Sequence, residues 1–331
     1  MKISASIYSV DNRPLPDVVR DLDTHGIDYL HIDCRDSVSV FDDIEEIKTF
    51  SRTPIDLHLI TNTPEKYFDR INQLGIDSVT LQYEDLDGYT YRGGLQAKVG
   101  LGITSTTDVL IFDPRQYEYA LLMATVPGHS GGRFNKLNFR KVRQFKATYP
   151  GKEVRVDGGV NAEVSFILRN LGVDVAVVGS YLFQKIPLGA ALLNLKSHDI
   201  ESHYLVEDFM RIREESPIVG PSNRDLKTVL QCVEDHKLGF AILEDDHQRL
   251  QGIVSNADIR RELLRNVDDP TQIQLSNMIN PNPITVSPRM TVSDLLSFVK
   301  RFDFPLNYLP VVDENQKVCG VVSFLNLVKG E

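Results

Sequence analysis

The chain has 331 residues, of which 36 are Lys or Arg, 46 are Asp or Glu and 42% are hydrophobic, so its formal net charge is −10. This composition is that of a globular protein with room for about two domains, and it excludes collagen, coiled coil and intrinsic disorder. Nucleic acid and anionic membranes are not expected partners, because binding to phosphate backbones depends on clustered positive charge. The composition still allows small anionic ligands, because helix N-termini can bind anions in a protein that has no net positive charge.

The three cysteines, Cys34, Cys232 and Cys319, are widely spaced and form no CxxC motif. This pattern is typical of reduced intracellular thiols. The first residues have no apolar core like that of a signal peptide, and no apolar run approaches the roughly 18 residues that a membrane span needs. We therefore expect a cytoplasmic protein.

Residues 1–196 alternate short β-branched apolar runs with polar helical patterns, which is typical of βα units in a parallel sheet. Eight strands are predicted, over residues 3–8, 29–33, 55–59, 78–82, 99–103, 120–125, 153–157 and 175–179. Predicted helices include 42–50, 64–74, 139–149, 162–171 and 188–196, and the fourth unit, 84–96, has a weak helix at best. Eight units predict an α/β fold, a closed (β/α)8 TIM barrel.

The chain after about residue 197 contains an internal repeat, which aligns with itself without a gap at an offset of 68 residues. Residues 240–245 and 252–258 match residues 308–313 and 320–326, and a helical pattern at 225–235 or 291–301 precedes each copy. Two packed copies predict a second domain over 208–331, with repeats at about 208–265 and 276–331. The charged stretch 197–207 is the expected linker.

Four ionisable residues lie at the ends of predicted barrel strands, where TIM barrels place their working residues. His31 and Asp33 are two apart on the second strand and so face the same side. His58 lies near the end of the third strand, and Asp157 ends the seventh. Two imidazoles and two carboxylates suit one divalent metal per barrel, such as Zn, Fe, Mn or Co. A single strand-end Asp or His is more often a capping residue, but four in one barrel favour the metal.

Glycine-rich turns follow the seventh and eighth strands, as Asp157-Gly158-Gly159 and Gly179-Ser180. Glycine lets backbone N–H groups approach an anion closely, and many barrels bind phosphate after these two strands. The loop at 127–134 has the glycines of a mobile lid. Ordinary tight turns are the alternative explanation for Gly-Gly pairs.

These motifs, with residues 6–11, 31–33, 56–59 and 123–134, occur in the order seen in ribulose-phosphate 3-epimerases, which residues 1–190 resemble. The resemblance implies epimerisation at C3 of a phosphorylated ketose, such as ribulose 5-phosphate or xylulose 5-phosphate, through an enediolate. It assigns metal binding to His31, Asp33, His58 and Asp157, and proton transfer by two bases to Asp33 and Asp157. Substrate contacts are expected from Ser9, Met123, Gly131, Gly158, Gly159, Gly179 and Ser180.

Departures from the family pattern bear on the identity of the substrate more than on the chemistry. The Met-Asp-Gly after the second strand is replaced by residues 35–37, the methionine after His-Leu by Ile60, and a fourth-strand histidine by Gln82, and the lid carries His129 and Gly132. Arg35 is placed to reach a substrate oxygen or phosphate, or to form a surface ion pair with Asp36 or Asp43.

The C-terminal repeat resembles a CBS domain pair. Gly252-Ile-Val-Ser255-Asn-Ala-Asp258 matches the pattern Gly-x-x-Ser/Thr-x-x-Asp, in which the hydroxyl contacts a nucleotide phosphate and the carboxylate bonds the ribose. The second copy has Asn326 in place of the carboxylate, and an amide is the weaker acceptor. The resemblance implies one adenine-nucleotide site at Ser255 and Asp258. A module that serves only dimerisation is the alternative.

The leading hypothesis is therefore a metal-dependent ketose-phosphate 3-epimerase with a nucleotide-sensing CBS pair, assembled as a homo-oligomer. The altered loop after the second strand motivates an alternative, a regulatory protein that binds a phosphosugar and an adenine nucleotide with little or no catalysis. A phosphosugar decarboxylase or isomerase on the same barrel is less favoured. Such relatives carry Asp-x-Lys on a strand, whereas this chain has His31-x-Asp33.

Overall fold

The computed structural model describes residues 1–10, 13–128, 131–184, 186–196, 203–302, 304 and 306–324. These residues form two compact units, one ending at residue 196 and one starting at residue 203. Residues 197–202 of the predicted linker, His129 of the predicted lid and Asn326 lie outside the described residues. None of the helices in the described ranges combines the length and the hydropathy that crossing a bilayer would take.

Eight parallel strands form a closed barrel in the first unit, in sequence order, with the first strand paired to both the second and the eighth. The strands are β1 (Lys2–Ser6), β2 (Tyr29–Cys34), β3 (Ile55–Leu59), β4 (Ser78–Gln82), β5 (Lys98–Thr104), β6 (Tyr119–Met123), β7 (Glu153–Asp157) and β8 (Val175–Val178). β3, β4, β6 and β8 are buried along their whole length, and the other four strands are buried in their middle residues, as expected for a parallel sheet covered by helices. The predicted (β/α)8 barrel is confirmed.

Six α-helices surround the barrel among the described residues. They are α1 (Leu15–Thr24), α2 (Ser39–Phe50), α3 (Phe68–Leu74), α4 (Leu137–Thr148), α5 (Ala162–Asn170) and α6 (Leu188–Lys196). Their apolar residues recur at helical spacing: in α4, Phe139, Val142 and Phe145 are each 0% exposed. Burial of a side chain of this kind contributes roughly 1.5–3 kcal/mol. α5 begins where the Asn161 side chain accepts a hydrogen bond from the Val164 backbone N–H.

The fourth βα unit lacks an α-helix, although the structure describes all of it. Only a 3-10 turn, Tyr83–Asp85, follows β4. Gly88, Gly93 and Gly94 all have positive φ in the remaining connection, and such residues interrupt a helix. The predicted helix over 64–74 is also divided, into a 3-10 turn at Pro64–Tyr67 and α3.

The first strand ends earlier than its apolar pattern predicts. β1 stops at Ser6, and Ile7–Ser9 forms a 3-10 turn. Ile7 remains 1% exposed, so its burial continues after the strand's ladder of hydrogen bonds has ended. β6 also ends earlier than predicted, at Met123 rather than at residue 125.

The second unit consists of short strands and helices. They are α7 (Val206–Phe209), β9 (Arg211–Ile212), β10 (Ile218–Val219), α8 (Leu226–His236), β11 (Phe240–Glu244), β12 (Leu250–Ser255), α9 (Asn256–Arg265), α10 (Val292–Val299), β13 (Tyr308–Val312) and β14 (Val318–Ser323). The strands form two sheets, in the orders β10-β11-β12 and β13-β14-β9.

The two copies of the repeat share one backbone register. Phe240 lies opposite Ser255 in the first antiparallel hairpin, and Tyr308 lies opposite Ser323 in the second. Each hairpin has an irregularity at the equivalent step, after Leu243 in the first and after Val311 in the second. The internal similarity of the sequence is therefore a similarity of structure.

The segment that opens each copy also pairs with a strand of the other copy. β9, at the start of the first copy, pairs with β14 of the second, and Asn280, near the start of the second copy, pairs with Ile253 of β12 in the first. A Cβ on Gly320 would lie 2.0 Å from the Arg211 carbonyl oxygen, and one on Gly252 would lie 2.6 Å from the Asn280 carbonyl oxygen. Glycine at this position of the repeat admits the exchanged segment, so the two copies are interdependent.

Candidate active site

Four side chains converge at the C-terminal ends of three barrel strands. His31 and Asp33 come from β2, His58 from β3 and Asp157 from the end of β7. One ligand atom from each residue lies within 4.8 Å of those of the other three. The two histidines are almost fully buried and the two carboxylates are partly exposed. The parallel register produces this cluster, since β2 places Asp33 directly beside His58 of β3.

The Asp56 carboxylate orients the ring of His31. The Nδ1 atom of His31 lies 3.0 Å from Oδ2 of Asp56, and both side chains are 1% exposed. A carboxylate can only accept, so Nδ1 carries the hydrogen and donates it. The opposite ring atom, Nε2, lies 3.5 Å from Asp33 Oδ1 and 3.8 Å from Asp157 Oδ2, and it has no hydrogen-bond partner among the described residues.

A buried ion pair fixes Asp56 in turn. Nη1 of Arg155 donates to Asp56 Oδ1 at 2.7 Å, and the hydroxyls of Ser78 and Ser4 donate to the same carboxylate at 2.9 and 3.0 Å. Arg155 is 1% exposed, and its guanidinium lies 3.7 Å from the centroid of the Tyr119 ring. This network was not predicted. The alternation of side chains along a strand could have indicated it, because Asp56 and Arg155 precede His58 and Asp157 by two residues and so face the same interior.

The pKa values of the two carboxylates in the cluster are shifted in opposite directions. Burial opposes ionisation of Asp33, but the rings of His31 and His58, with nitrogens 3.5 and 3.0 Å from its Oδ1, hold the pKa of Asp33 well below its usual range. Burial raises the pKa of Asp157 to about 6. Burial also opposes ionisation of Asp56, but the hydrogen bond from His31 and the charge of Arg155 keep the pKa of Asp56 low.

The negative charge around His31 shifts the pKa of its ring. Burial alone would lower the pKa of His31, but its contacts with Asp33 and Asp56 raise that pKa well above the ordinary value. The cluster therefore favours positive charge at the ring of His31.

His58 has two different neighbours on its two ring nitrogens. Nδ1 lies 3.0 Å from Asp33 Oδ1, and Nε2 lies 2.7 Å from Oε1 of Gln82, the last residue of β4. The amide nitrogen of Gln82 donates to Glu84 Oε2 at 2.5 Å. Gln82 was noted in the sequence only as a departure from the family pattern, whereas in the structure it contacts a residue of the cluster.

A cavity of about 330 Å³ opens beside Asp33 and Asp157. Of the residues predicted to contact substrate, those that line it are Ser9, Gly131, Gly158, Gly159, Gly179 and Ser180. Met123 does not line this cavity: it is 1% exposed and packs with Leu121 and Val177. Tyr8 and Ser37 line the cavity and were not predicted.

Two glycines in the wall of this cavity are required by close packing. A Cβ on Gly159 would lie 2.4 Å from the Phe134 backbone nitrogen, and φ of Gly159 is +64°. A Cβ on Gly179 would lie 2.3 Å from Ser9 Oγ. Glycine therefore leaves the backbone itself as the wall of the cavity after β7 and β8, the position at which barrels bind phosphate.

Arg35 also lines the cavity, at the end of β2. Its Nη2 atom donates to the Pro127 carbonyl oxygen at 2.5 Å and so ties β2 to the loop after β6. The two carboxylates considered as its surface partners have others: Asp36 lies 2.6 Å from Lys66 Nζ, and Asp43 accepts from the Tyr8 hydroxyl at 2.6 Å.

In the second unit, Ser255 and Asp258 cap the start of α9. The Asp258 carboxylate accepts from the Ser255 backbone N–H and hydroxyl, the Ser255 hydroxyl accepts from the Asp258 N–H, and Arg261 lies 2.9 Å from Asp258. A cavity of about 380 Å³ lies nearby in this unit, lined by Ile253, Asn280, Asn282, Pro283, Ile284, Phe304, Leu306, Asn307, Tyr308 and Pro310. Phe240, which lies opposite Ser255 in the hairpin, stacks on Tyr308 of the cavity wall with ring centroids 3.7 Å apart, so the capping residues lie close to this wall.

The barrel sequence matches the family model described as the ribulose-phosphate 3 epimerase family over residues 2–183, more than half of the chain. This chain belongs to the ribulose-phosphate 3-epimerase family. The ribulose-phosphate 3-epimerase of Methanocaldococcus jannaschii is 26% identical over 228 residues, which are 63% of this chain and 95% of the relative. That of Bacillus subtilis is 27% identical over 203 residues, 55% of this chain and 92% of the relative. The predicted membership of this family of epimerases is confirmed.

This epimerase-family chain also matches the CBS domain model, over residues 275–330. Among solved structures, CBSX2 in complex with AMP is 26% identical and covers 38% of this chain and 95% of that chain, with a TM-score of 0.32. The CBS domain pair of protein MJ0100 in complex with 5-methylthioadenosine and S-adenosyl-L-methionine is 21% identical, with coverages of 38% and 94% and a TM-score of 0.31. The family match and the shared register of the two copies confirm the predicted CBS pair.

Proposed function

We propose that the barrel catalyses metal-dependent epimerisation at C3 of a phosphorylated ketose, ribulose 5-phosphate or a related sugar phosphate. The observation that supports this most is the convergence of two imidazoles and two carboxylates, with ligand atoms within 4.8 Å of one another, beside a cavity at the C-terminal ends of the strands. Inversion needs a base on one face of the carbinol carbon and an acid on the other.

The residues of the cluster fit a divalent transition metal. Two ring nitrogens and two carboxylate oxygens are the donors that Zn, Fe, Mn or Co prefers. Nε2 of His31 is buried and lacks a hydrogen-bond partner among the described residues, and a ligand role for this atom accounts for that. His31, Asp33, His58 and Asp157 would hold the ion. A bound ion would supply Lewis acidity that stabilises the charge developing on the substrate oxygens.

Asp33 and Asp157 are the proposed proton-transfer residues. They belong to β2 and β7, which are separated by β1 and β8 around the barrel, and both line the cavity. A substrate carbon between them would have one carboxyl group on each side. One carboxylate takes the C3 proton, which leaves an enediolate, and the other carboxyl group returns a proton to the opposite face.

The phosphate is proposed to bind where β7 and β8 end. Gly159, Gly179 and Ser180 place backbone at the cavity wall, and a 3-10 turn begins at Ser180. Ser9 lines the same side and donates to Ser6 at 3.0 Å, so its hydroxyl is held at the cavity. This arrangement leaves the C3 end of the sugar near Asp33 and Asp157.

The CBS pair is proposed to bind an adenine nucleotide in its cavity of about 380 Å³. Pro283, Ile284, Tyr308 and Pro310 provide apolar and aromatic walls that suit a purine ring. Ser255 and Asp258 remain the predicted phosphate and ribose contacts, and to reach a ligand they would exchange part of their mutual capping bonds. Self-association and the domain boundary at 197–207 also remain predictions.

The epimerase proposal is tested by replacing each proton-transfer residue. Asp33→Asn and Asp157→Asn keep the shape of the side chains and remove their capacity to exchange protons. Both variants should lose at least about a hundredfold in turnover of ribulose 5-phosphate by metal-loaded protein, since general acid–base groups contribute roughly 10²–10⁴-fold. Turnover equal to that of the parent in both variants would refute the proposal.

A further inference from the structure

A chain of hydrogen bonds runs from the metal cluster to a carboxylate at the surface. It begins at Nε2 of His58, passes through both ends of the Gln82 amide, at 2.7 and 2.5 Å, and ends at Oε2 of Glu84. Gln82 is 0% exposed, whereas Glu84 is exposed at the end of β4. Every link joins two side chains, so the direction of each hydrogen bond depends on its neighbours.

The carboxylate of Glu84 fixes that direction. A carboxylate can only accept, so the end of Gln82 that faces Glu84 must be the NH2 group. The carbonyl oxygen of Gln82 then faces His58, and Nε2 of His58 must carry the hydrogen. A metal-bound imidazole carries one N–H, so with an ion in the cluster the lone pair lies on Nδ1, the nitrogen that faces Asp33; without the ion, Nδ1 would donate a hydrogen to Asp33 Oδ1 at 3.0 Å.

The turn after β5 fixes Glu84 in turn. Oε1 of Glu84 accepts from the Thr104 backbone N–H at 2.8 Å and from the Thr104 hydroxyl at 2.9 Å, and it also accepts from the Thr107 hydroxyl. Nζ of Lys141, which is 5% exposed, donates to the carbonyl oxygens of Thr104 and Thr107. A backbone N–H cannot reverse its polarity, so Oε1 is committed to this turn and Oε2 to Gln82.

We infer that Glu84 is a positioning residue that sets the tautomer of His58 through Gln82, so that Nδ1 of His58 is available as a metal ligand. This inference rests on the proposed metal-dependent function of the same cluster. Metal-binding histidines commonly donate their second ring N–H to a carboxylate or carbonyl, and loss of such a partner costs about 10–100-fold in metal affinity or activity. Here an amide lies between the ring and the carboxylate.

An isosteric substitution should reverse the direction of the hydrogen bonds between Glu84 and His58. In Glu84→Gln, the amide oxygen must stay with the Thr104 N–H, so the new NH2 group faces Gln82. Gln82 must then turn its oxygen outward and its NH2 group toward His58, which forces the hydrogen onto Nδ1. We expect the affinity for Zn²⁺, measured by competition with a chelator, to fall about 10–100-fold.

A second substitution should restore the original direction. In Gln82→Glu/Glu84→Gln, the carboxylate and the amide exchange places and the total charge equals that of the parent. Glu at position 82 accepts from Nε2 of His58, Gln at position 84 donates to it, and its oxygen still serves the Thr104 N–H. The double variant should regain Zn²⁺ affinity to within about threefold of the parent, a rescue that general damage to the fold cannot produce.

The control is Glu118→Gln, which removes the same charge from an exposed carboxylate at the opposite end of the barrel, just before β6. It should bind Zn²⁺ as the parent does. The protonated nitrogen of His58 is read independently from long-range 1H–15N correlations of Zn-loaded protein, as Nε2–H in the parent and in the double variant.

Two outcomes would overturn the inference. One is Zn²⁺ affinity in Glu84→Gln within twofold of the parent, and the other is the lack of any rescue in the double variant. Neither result affects the proposed epimerase if the parent still turns over ribulose 5-phosphate. Conversely, loss and rescue of Zn²⁺ affinity in a parent that epimerises no ketose phosphate would sustain the role of Glu84 and refute the proposed function.

Discussion

The buried ion pair between Asp56 and Arg155 makes a strong prediction for Asp56→Asn. Asp56 Oδ1 accepts from Arg155 and Ser78, and Oδ2 accepts from His31 and Ser4. An asparagine has only one oxygen, so its NH2 group must face one of these two sets of donors. Removing one partner of a buried pair costs about 3–5 kcal/mol, because the other charge stays buried. Since Glu153 still pairs with Arg155 at 2.7 Å, we expect about 3 kcal/mol.

For a unit of this size, about 3 kcal/mol corresponds to a decrease in Tm of roughly 6–12 °C. Differential scanning calorimetry of the full chain is the appropriate assay, because the protein has two units and no tryptophan to report on the barrel alone. The matched control is Asp113→Asn, which breaks an Asp–Arg pair at 3.0 Å whose arginine side chain is 88% exposed. An exposed pair contributes at most about 1 kcal/mol.

The Tm of the barrel transition should therefore decrease several times more in Asp56→Asn than in Asp113→Asn. The comparison removes the same chemical group in both variants and changes only its environment. Equal decreases in the two variants would refute the reasoning, because they would mean that the interior pair is no more important to stability than a solvated one.

Three further predictions concern acid, phosphate and nucleotide. The folded-state pKa of Asp56 lies below its unfolded value, so its ionised form stabilises the fold above about pH 4 and this contribution is lost on acidification. The difference in free energy of unfolding between the parent and Asp56→Asn, measured with urea, should therefore shrink from pH 7 to pH 3. A constant difference would contradict this. Gly159→Ala places a Cβ at φ +64°, which alone costs about 1–2 kcal/mol, and 2.4 Å from the Phe134 backbone nitrogen, so the cavity wall must shift. KM for ribulose 5-phosphate should rise at least about tenfold in steady-state kinetics, whereas an unchanged KM would argue against phosphate binding there. AMP, ADP or ATP at about 100 times its Kd should stabilise the CBS pair by about 2.7 kcal/mol in calorimetry, less in Tyr308→Ala, and no shift with any of them would favour a dimerisation module.

The order and type of the barrel elements were predictable because parallel strands buried on both faces leave apolar β-branched runs in the sequence. The bounds of β3, β4 and β7 agree with the prediction residue for residue. Strand ends were less predictable, since Ile7 stays buried after β1 has lost its pairing. The weak helical pattern over 84–96 corresponds to a connection whose glycines adopt positive φ.

The four residues of the metal cluster were predictable because they are polar groups at strand ends. The pairing of Asp56 with Arg155 was not, because alternation gives the face of each side chain but not which residues of two non-adjacent strands meet inside the barrel. The role of Gln82 depends on two distances to other strands and turns, and no spacing in the sequence contains that information. Ser255 and Asp258 were found by motif, but their bonds to each other at the start of α9 follow from the capping box.

Solvent exchange at C3 tests the central claim most directly. Metal-loaded protein is incubated in D2O with ribulose 5-phosphate and then with other ketose phosphates, and deuterium at C3 is followed by NMR. The account predicts incorporation of deuterium at C3 together with formation of the C3 epimer, and the loss of both in Asp33→Asn and Asp157→Asn. Metal binding without exchange at C3 in any ketose phosphate would contradict it.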